Sequence, residues 1–340
     1  MAEVFIFICS MDSFFSLIDN LKGSLKVTLK PVLSLLQSED RLLAAVNGLA
    51  GDSLAQYAPS YAIQMAFYDD GKPISIEQAA KKSNQKIVIF VHGHSDIEKS
   101  WFSSKQESIP ELLHQELSFS PLFIRYNTGL HISTNGKQLA KLIDKLYQEK
   151  KKSNNPVSEI VLIGHSMGGL VIRSAAYYAQ GYEWRTYLKA LIMIGAPLEG
   201  AYMEKISAFA ETVLKKLFNP ATMVIHELIK RRSAGLRDMK YGYLRDEDWQ
   251  SEKAYSAPHK HFIPSLDNTK EYVVAASLSK KEKSWIHTFV GDGMVTLKSA
   301  KADNTLALPE EHVFVLKGVN HYALMRHKKV ADKIKEWLSK

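Results

Sequence analysis

Residues 159–175 have the sequence EIVLIGHSMGGLVIRSA, in which a strand pattern passes directly into a helix pattern. The apolar, β-branched run over 159–163 is typical of a strand that is buried on both faces of a parallel sheet. The turn that follows has the form G-x-S-x-G, and a helical pattern begins straight after it. A turn of this form between a strand and a helix holds its serine at the tip with the hydroxyl exposed. We therefore expect Ser166 to be a nucleophile.

The two glycines of this turn, Gly164 and Gly168, let the chain reverse direction sharply. A side chain at either position is expected to collide with the neighbouring strand or helix. The serine between them also precedes the N-terminus of the predicted helix, where the partial positive charge stabilises a developing anion. These features favour a reactive serine over a plain glycine-rich turn.

Strand patterns recur on both sides of this segment, and helical patterns separate several of them. The strand candidates are 62–68, 86–91, 122–126, 159–163, 190–194, 272–277 and 312–316, and the helix candidates are 135–150, 167–180 and 323–338. Strands that alternate with helices predict an α/β fold in which a mostly parallel central sheet is covered by helices on both faces.

Two segments fall outside this alternation. Residues 1–60 predict a helical arm, with one amphipathic helix over 12–36 and a second over 38–55. This arm either packs on the body of the protein or lies on a membrane as a surface helix. Residues 61–340 are predicted to form the main domain. Within it, 198–268 predict a lid or cap insertion, because they separate two strand candidates.

The composition excludes several classes of protein. The chain has 340 residues, 46% of them hydrophobic, and a single cysteine, Cys9. One cysteine can form neither an intrachain disulfide nor a cysteine-based zinc site. No apolar run reaches the roughly 20 residues of a membrane-spanning helix. We expect a cytoplasmic protein whose contact with membranes, if any, is peripheral and made by the arm.

The net charge of +8 does not predict a nucleic-acid partner. The lysines and arginines are spread along the chain in small clusters, and none is interleaved with aromatic residues in a stacking pattern.

A serine hydroxyl is a weak nucleophile by itself, so a base and an orienting acid are needed. On a fold with this serine turn they follow in the order Ser, Asp or Glu, His, on loops after late strands. Asp292 lies in the glycine-flanked sequence VGDGMV after the strand candidate at 272–277, and His321 follows the strand candidate at 312–316. We predict these two residues as acid and base. The alternatives are a turn aspartate and a helix-capping histidine.

An oxyanion hole would complete the site. One donor is expected to be the backbone N–H of Met167, the residue after the nucleophile. The other should come from the loop after an early strand, and the sequence KIVIFVHGH ends in His94, whose N–H is the candidate.

A rival interpretation of the same loop is a metal site. His92, His94 and Asp96 imitate the H-x-H-x-D-H signature of metallo-β-lactamase-type hydrolases, and imidazole and carboxylate ligands suit zinc. Position 97 is Ile97, however, where the signature has its closing histidine. We predict no metal and no cofactor.

Longer motifs surround these residues. They are RLLAAVNGLAGD at 41–52, HG at 92–93 with Trp101 downstream, RYNTGLHISTNG at 125–136, GHSMGG at 164–169, IGAP at 194–197, SAGLRDMKYGYLRDEDW at 233–249, GDGMV at 291–295 and NH at 320–321. With these motifs the chain resembles the lipase/esterase branch of the α/β-hydrolase superfamily. It is more closely similar to bacterial esterase/lipase proteins related to GPI inositol-deacylase-like hydrolases.

This resemblance implies the α/β-hydrolase fold, with Ser166 as nucleophile, Asp292 as acid and His321 as base. The expected activity is that of a serine carboxylic-ester hydrolase that cleaves acyl esters, of lipids in particular, through an acyl-enzyme. The alternatives are a phospholipase, thioesterase or acyltransferase that uses the same three residues, or a non-catalytic scaffold of the same fold.

Overall fold

The computed structural model describes residues 39–102, 108–201, 232–251, 254–255, 263–279, 291–302 and 306–340, and an eight-stranded sheet organises them. The strands are β1 Ala66–Asp69, β2 Lys72–Ile74, β3 Lys86–Val91, β4 Ser120–Arg125, β5 Glu159–His165, β6 Leu188–Ile194, β7 Lys270–Ser277 and β8 Val313–Lys317. Their order across the sheet is β2-β1-β4-β3-β5-β6-β7-β8.

Strands β3 to β8 all pair in parallel, and only β1 runs antiparallel to its neighbours β2 and β4 within this sheet. The carboxyl ends of the parallel strands therefore meet at one edge, where the loops after β3, β5, β6, β7 and β8 come together. The predicted mostly parallel sheet is confirmed.

Helices cover both faces of the sheet. The α-helices within the described residues are α1 Glu39–Tyr57, α2 Ile76–Lys82, α3 Ile109–Leu117, α4 Ile132–Lys151, α5 Met167–Tyr178, α6 Ala234–Tyr241, α7 Asp246–Trp249, α8 Leu297–Lys301 and α9 Lys328–Leu338. Short 3₁₀ segments lie at Pro59–Tyr61, Glu98–Trp101, Glu183–Tyr187, Glu310–His312 and His321–Arg326. None of the described helices is long and apolar enough to cross a membrane.

The alternation of side chains along β3 explains the two cores. Ile87 and Ile89 join the core beneath α4 and α5, whereas Val88 and Phe90 join the core beneath α3 and α9. A strand buried on both faces needs apolar residues at every position, which is the continuous pattern of KIVIFV.

Several local features differ from the prediction. The first strand is shorter and forms a hairpin with β2, through a turn in which Asp70 and Gly71 both have positive φ. The edge strand β2 was not expected because it has three residues, one of them Pro73. Helices α2 and α3 were also not predicted.

The helix predicted over 323–338 is divided. A 3₁₀ segment begins at His321, and α9 begins only at Lys328. His327 between them has an extended backbone, and its ring nitrogen accepts a hydrogen bond from the N–H of Lys329, which caps α9.

The predicted arm and insertion are described only in part. The helix predicted over 38–55 is α1, which bends at the non-helical Ala50. The amphipathic stretch at 12–36 and residues 202–231 of the predicted insertion lie outside the described residues. The domain division at residue 60 stays a prediction.

A buried ion pair fastens α5, the helix after Ser166, to the sheet. The guanidinium of Arg173 pairs with Glu271 at the start of β7, and both side chains are almost fully buried. Arg173 also donates to the carbonyl of Ile263 at 2.6 Å, and Glu271 accepts from the N–H of Leu266 at 3.0 Å. The pair therefore joins three segments of the chain.

We expect Arg173→Met to lower the free energy of unfolding by roughly 3–5 kcal/mol, because it leaves the carboxylate of Glu271 buried without its partner charge. Adding Glu271→Gln should recover part of this loss, since the stranded charge is removed. Urea unfolding measures both changes. The control is Lys151→Met, which breaks the exposed pair with Glu183 and should leave stability nearly unchanged. Equal effects of Arg173→Met and Lys151→Met would contradict this account.

Candidate active site

Ser166 occupies a strained turn between β5 and α5. Its backbone has φ 53° and ψ −123°, a combination that is costly for a residue with a side chain. The N–H of Ser166 donates to the carbonyl of Ile194 in β6 at 2.8 Å, and its own carbonyl accepts from the N–H of Gly169 at 2.9 Å. These bonds hold the turn against the strain. The hydroxyl does not cap the helix that follows.

The glycines of the turn allow very close approaches of the backbone. A Cβ atom on Gly164 would collide with the carbonyl group of Gly168, and a Cβ on Gly168 would collide with the carbonyl oxygen of Val91 at the end of β3. The steric role predicted for these two glycines is confirmed. Gly93, on the loop after β3, is similarly close, since a Cβ there would lie 3.1 Å from the Cβ of Ser166.

His321 and Asp292 are in direct contact. The ring Nδ1 of His321 lies 2.7 Å from Oδ2 of Asp292, and the N–H of His321 donates to the backbone carbonyl of Asp292 at 3.0 Å. Both side chains are almost fully buried. Two residues that are 29 positions apart in the sequence thus bring an imidazole and a carboxylate together, in the arrangement that fixes the tautomer of a histidine base.

The carboxyl group of Asp292 stays ionised. Burial by itself would raise the pKa of Asp292, but attraction to His321 and the hydrogen bonds to the carboxylate hold that pKa below its usual range. Two of these bonds come from the backbone N–H groups of Met294 and Val295, at 3.0 and 2.9 Å from Oδ1. Oδ1 of Asp292 thus accepts hydrogen bonds from its own loop, and Oδ2 contacts the ring of His321.

Ser166 and His321 line the same pocket. Its polar wall consists of Gly93, His94, Asp96, His165, Ser166, His321 and Tyr322, and its apolar wall consists of Pro197, Ala201, Met239, Met294 and Val295. Among the hydrogen bonds of the described residues, none joins the hydroxyl of Ser166 to the ring of His321. Such contacts are often long before substrate binds. The three predicted residues are therefore gathered at one edge of the sheet, and their roles stay predictions.

The two predicted oxyanion donors lie close to Ser166 in the chain or in the fold. Met167 begins α5, and His94 follows Gly93 on the β3 loop, which packs against Ser166. Neither backbone N–H donates a hydrogen bond to any other part of the chain that the structure describes. Their assignment as oxyanion donors stays a prediction.

The ring of His94 is engaged in holding its own loop. Its Nε2 lies 2.9 Å from the carbonyl oxygen of Gly48 in α1, and its Nδ1 lies 3.0 Å from the hydroxyl of Ser95. The hydroxyl of Ser233, which precedes α6, also donates to the carbonyl of Gly48, at 2.6 Å. The carbonyl of Gly48 on α1 thus forms hydrogen bonds with the loop after β3 and with the segment that precedes α6.

This geometry does not favour the metal interpretation. Both ring nitrogens of His94 have partners, and Nδ1 of His92 lies 2.9 Å from the carbonyl of Gly93. No group of three His, Cys, Asp or Glu side chains in the described ranges is arranged to hold a metal ion.

Comparison with known proteins places this site in a family. The family model described as "PGAP1-like alpha/beta domain" matches residues 82–297, more than half of the chain. The chain belongs to this family. The matched range includes Ser166, Asp292 and both oxyanion candidates. His321 lies beyond residue 297, where the match ends.

Solved structures resemble the PGAP1-like chain at low identity. The lipase BlEst2 of Bacillus licheniformis is 17% identical, with a TM-score of 0.46, over 81% of this chain and 97% of that one. A thermophilic esterase of Thermogutta terrifontis is 18% identical, with a TM-score of 0.41, over 81% of this chain and 93% of that one. A search of curated proteins found no significant match. Sheet, helices and family together identify the α/β-hydrolase fold.

We expect buried histidines of the PGAP1-like site to make stability depend on pH. Burial lowers the pKa of His94 to about 4 and that of His165 to about 3, against about 6.5 in an unfolded chain. Because the folded-state pKa values are depressed, the stabilising contribution is complete above about pH 6.5 and is lost as the pH falls toward 4. Each such histidine costs about 1.4 kcal/mol per pH unit in this window.

Urea unfolding of the wild type and of His94→Gln between pH 7 and pH 4.5 measures this dependence. The variant should have the shallower slope, since one neutral buried ring is absent. Parallel pH profiles for the two proteins would show that His94 takes up its proton equally in the folded and unfolded states.

Proposed function

We propose that this protein is a serine carboxylic-ester hydrolase. The observation that carries the proposal is the buried contact of 2.7 Å between His321 and Asp292, at a pocket that Ser166 and His321 both line. A carboxylate that binds Nδ1 leaves Nε2 of the ring as the proton acceptor. The pocket thus combines a strained serine at a helix N-terminus with an oriented base.

The first step is acylation. Nε2 of His321 takes the hydroxyl proton of Ser166 as Oγ attacks the carbonyl carbon of the ester, and the carbonyl electron pair moves to its oxygen. The N–H groups of His94 and Met167 bind this oxyanion, and Asp292 stabilises the imidazolium. His321 then returns the proton to the departing alcohol, which leaves an acyl ester on Ser166.

The second step repeats the first with water. Nε2 of His321 removes a proton from the water molecule that attacks the acyl-enzyme, and the same two amides bind the second oxyanion. Collapse of this intermediate releases the acid, and the proton returns to Ser166. The depressed pKa of Asp292 keeps the carboxylate available to the imidazolium in both steps.

Ser166→Ala tests the proposal. The variant should lose ester hydrolysis by at least about 10³-fold, since the acyl acceptor is absent, and should not react with a fluorophosphonate probe that labels the wild type. Assays on short- and medium-chain acyl esters, with mass spectrometry of the labelled peptide, measure both effects.

The matched control is Ser174→Ala, two turns further along the same helix, where the hydroxyl donates to the carbonyl of Leu244. This variant should keep its activity and its labelling at Ser166. A Ser166→Ala protein as active as the wild type would end the proposal, and a wild type that the probe does not label would favour the non-catalytic scaffold.

The acyl part of the substrate is proposed to lie against the apolar wall of the pocket. Met239 and Met294 contribute flexible apolar side chains to the lining, which also includes Asp96 and Tyr322. The apolar side chains support an ester with an apolar acyl chain, as in lipids. Contact of the predicted arm at 1–60 with a membrane is one of the two alternatives for that segment, and its amphipathic stretch at 12–36 lies outside the described residues.

Met294→Ser should lower kcat/KM several-fold more for an octanoyl ester than for an acetyl ester, because buried methylene groups contribute about 0.8 kcal/mol each. The acetyl ester is the internal control in the same protein. An equal loss on both esters would place the acyl chain elsewhere.

Parallel assays of a thioester, a phospholipid and an ester with added alcohol separate the thioesterase, phospholipase and acyltransferase alternatives.

A further inference from the structure

His165, the residue before Ser166, contacts the loop of His321 through a buried ring. Its Nε2 lies 3.1 Å from the backbone carbonyl oxygen of His321, and the two rings have their centroids 4.7 Å apart. The ring is almost fully buried and also meets Trp101 edge-on, at 6.5 Å between centroids. The sequence predicted no role for this position beyond that of a spacer in the G-x-S-x-G turn.

The hydrogen bond assigns the tautomer of His165. A backbone carbonyl only accepts, so Nε2 must carry the hydrogen. In a neutral ring Nδ1 then has a lone pair, and this buried atom has no hydrogen-bond partner among the described residues. A Cβ on Gly93 would lie 3.2 Å from Nδ1 of His165. The ring of His165 therefore fits closely against the backbone of Gly93.

The surroundings of His165 keep the ring neutral. Burial, and then the charge of His321, lower the pKa of His165 to about 3. A ring that stays neutral does not compete with His321 for the proton of the nucleophile. It also adds no second positive charge beside the imidazolium that forms during the reaction.

The hydrogen bond of His165 attaches His321 to the central sheet, whereas the bonds of Asp292 attach it to a neighbouring loop. Asp292 holds His321 at two points, the ring Nδ1 and the backbone N–H, and both belong to one loop. The bond from His165 attaches the carbonyl of His321 to β5, which is paired in parallel on both sides. It is therefore a direct link between the residue that follows β8 and the rigid strand that carries Ser166.

We propose that His165 is a positioning residue, whose Nε2–H bond to the carbonyl of His321 sets the distance between the base and the nucleophile. The inference rests on the proposed function, because it concerns the rate of the reaction at Ser166. The proposed role belongs to this hydrogen bond, while the ring of His165 also lines the pocket.

His165→Gln and His165→Met form the test. The amide nitrogen of glutamine reaches about as far as Nε2 and can still donate, whereas methionine has similar length and no donor. We expect the Met variant to have a kcat about 10–100-fold below that of the Gln variant with KM little changed, since small misplacements of a base are costly. Circular dichroism and thermal unfolding give the folded fraction for each protein.

The matched control is the same pair of substitutions at His114, whose ring Nδ1 lies 3.0 Å from the carbonyl of Phe119, outside the pocket. His114→Gln and His114→Met should have equal kcat. Equal kcat for the folded Gln and Met variants at His165 would overturn the inference. A wild type that neither cleaves esters nor reacts with fluorophosphonate would instead overturn the proposed function.

A measurement on the wild type decides the question if the variants do not fold. Nitrogen-15 NMR of labelled histidines should show His165 as a neutral ring with hydrogen on Nε2 at every pH from 5 to 8. A ring with hydrogen on Nδ1 alone could not donate to His321, and this result would overturn the inference.

Discussion

The active-site edge depends on a close approach of backbone to backbone. The first turn of α5 rests against the end of β3, and this is sterically possible because Gly168 places no side chain against the carbonyl of Val91. The approach accompanies the placement of Ser166 in the turn and of the Gly93 loop beside it. Close backbone packing and the hydrogen bonds of the His94 ring together position Ser166 and the loop after β3.

The parts of the structure that follow from local pattern were predictable. The continuous apolar run of β5 and the glycines after it predicted a buried strand, a sharp turn and a helix, and all three are present. The order of strands along the chain was enough to expect Asp292 and His321 on late loops, because parallel strands place those loops at one edge. An acid and a base that act together must be in contact, and the two side chains lie 2.7 Å apart.

The parts that depend on distant contacts were not predictable. The bond from His165 to the carbonyl of His321 spans 156 residues and leaves no pattern near either residue. The edge strand β2 is short and contains Pro73, so it lacked the alternation by which strands are recognised. The break before α9 arises from a histidine that caps a helix with its ring, and histidine is not among the residues usually expected there.

The carbonyl of Gly48 has a consequence for where the functional unit begins. The family match starts at residue 82, yet the acceptor of the His94 ring and of the Ser233 hydroxyl lies upstream of it, on α1. At the other end, the match stops before His321. A fragment excised at the limits of the family match would contain the serine turn but lack His321, the proposed base, and the helix whose Gly48 carbonyl bonds the ring of His94. The contacts around the candidate site therefore extend beyond the shared domain on both sides.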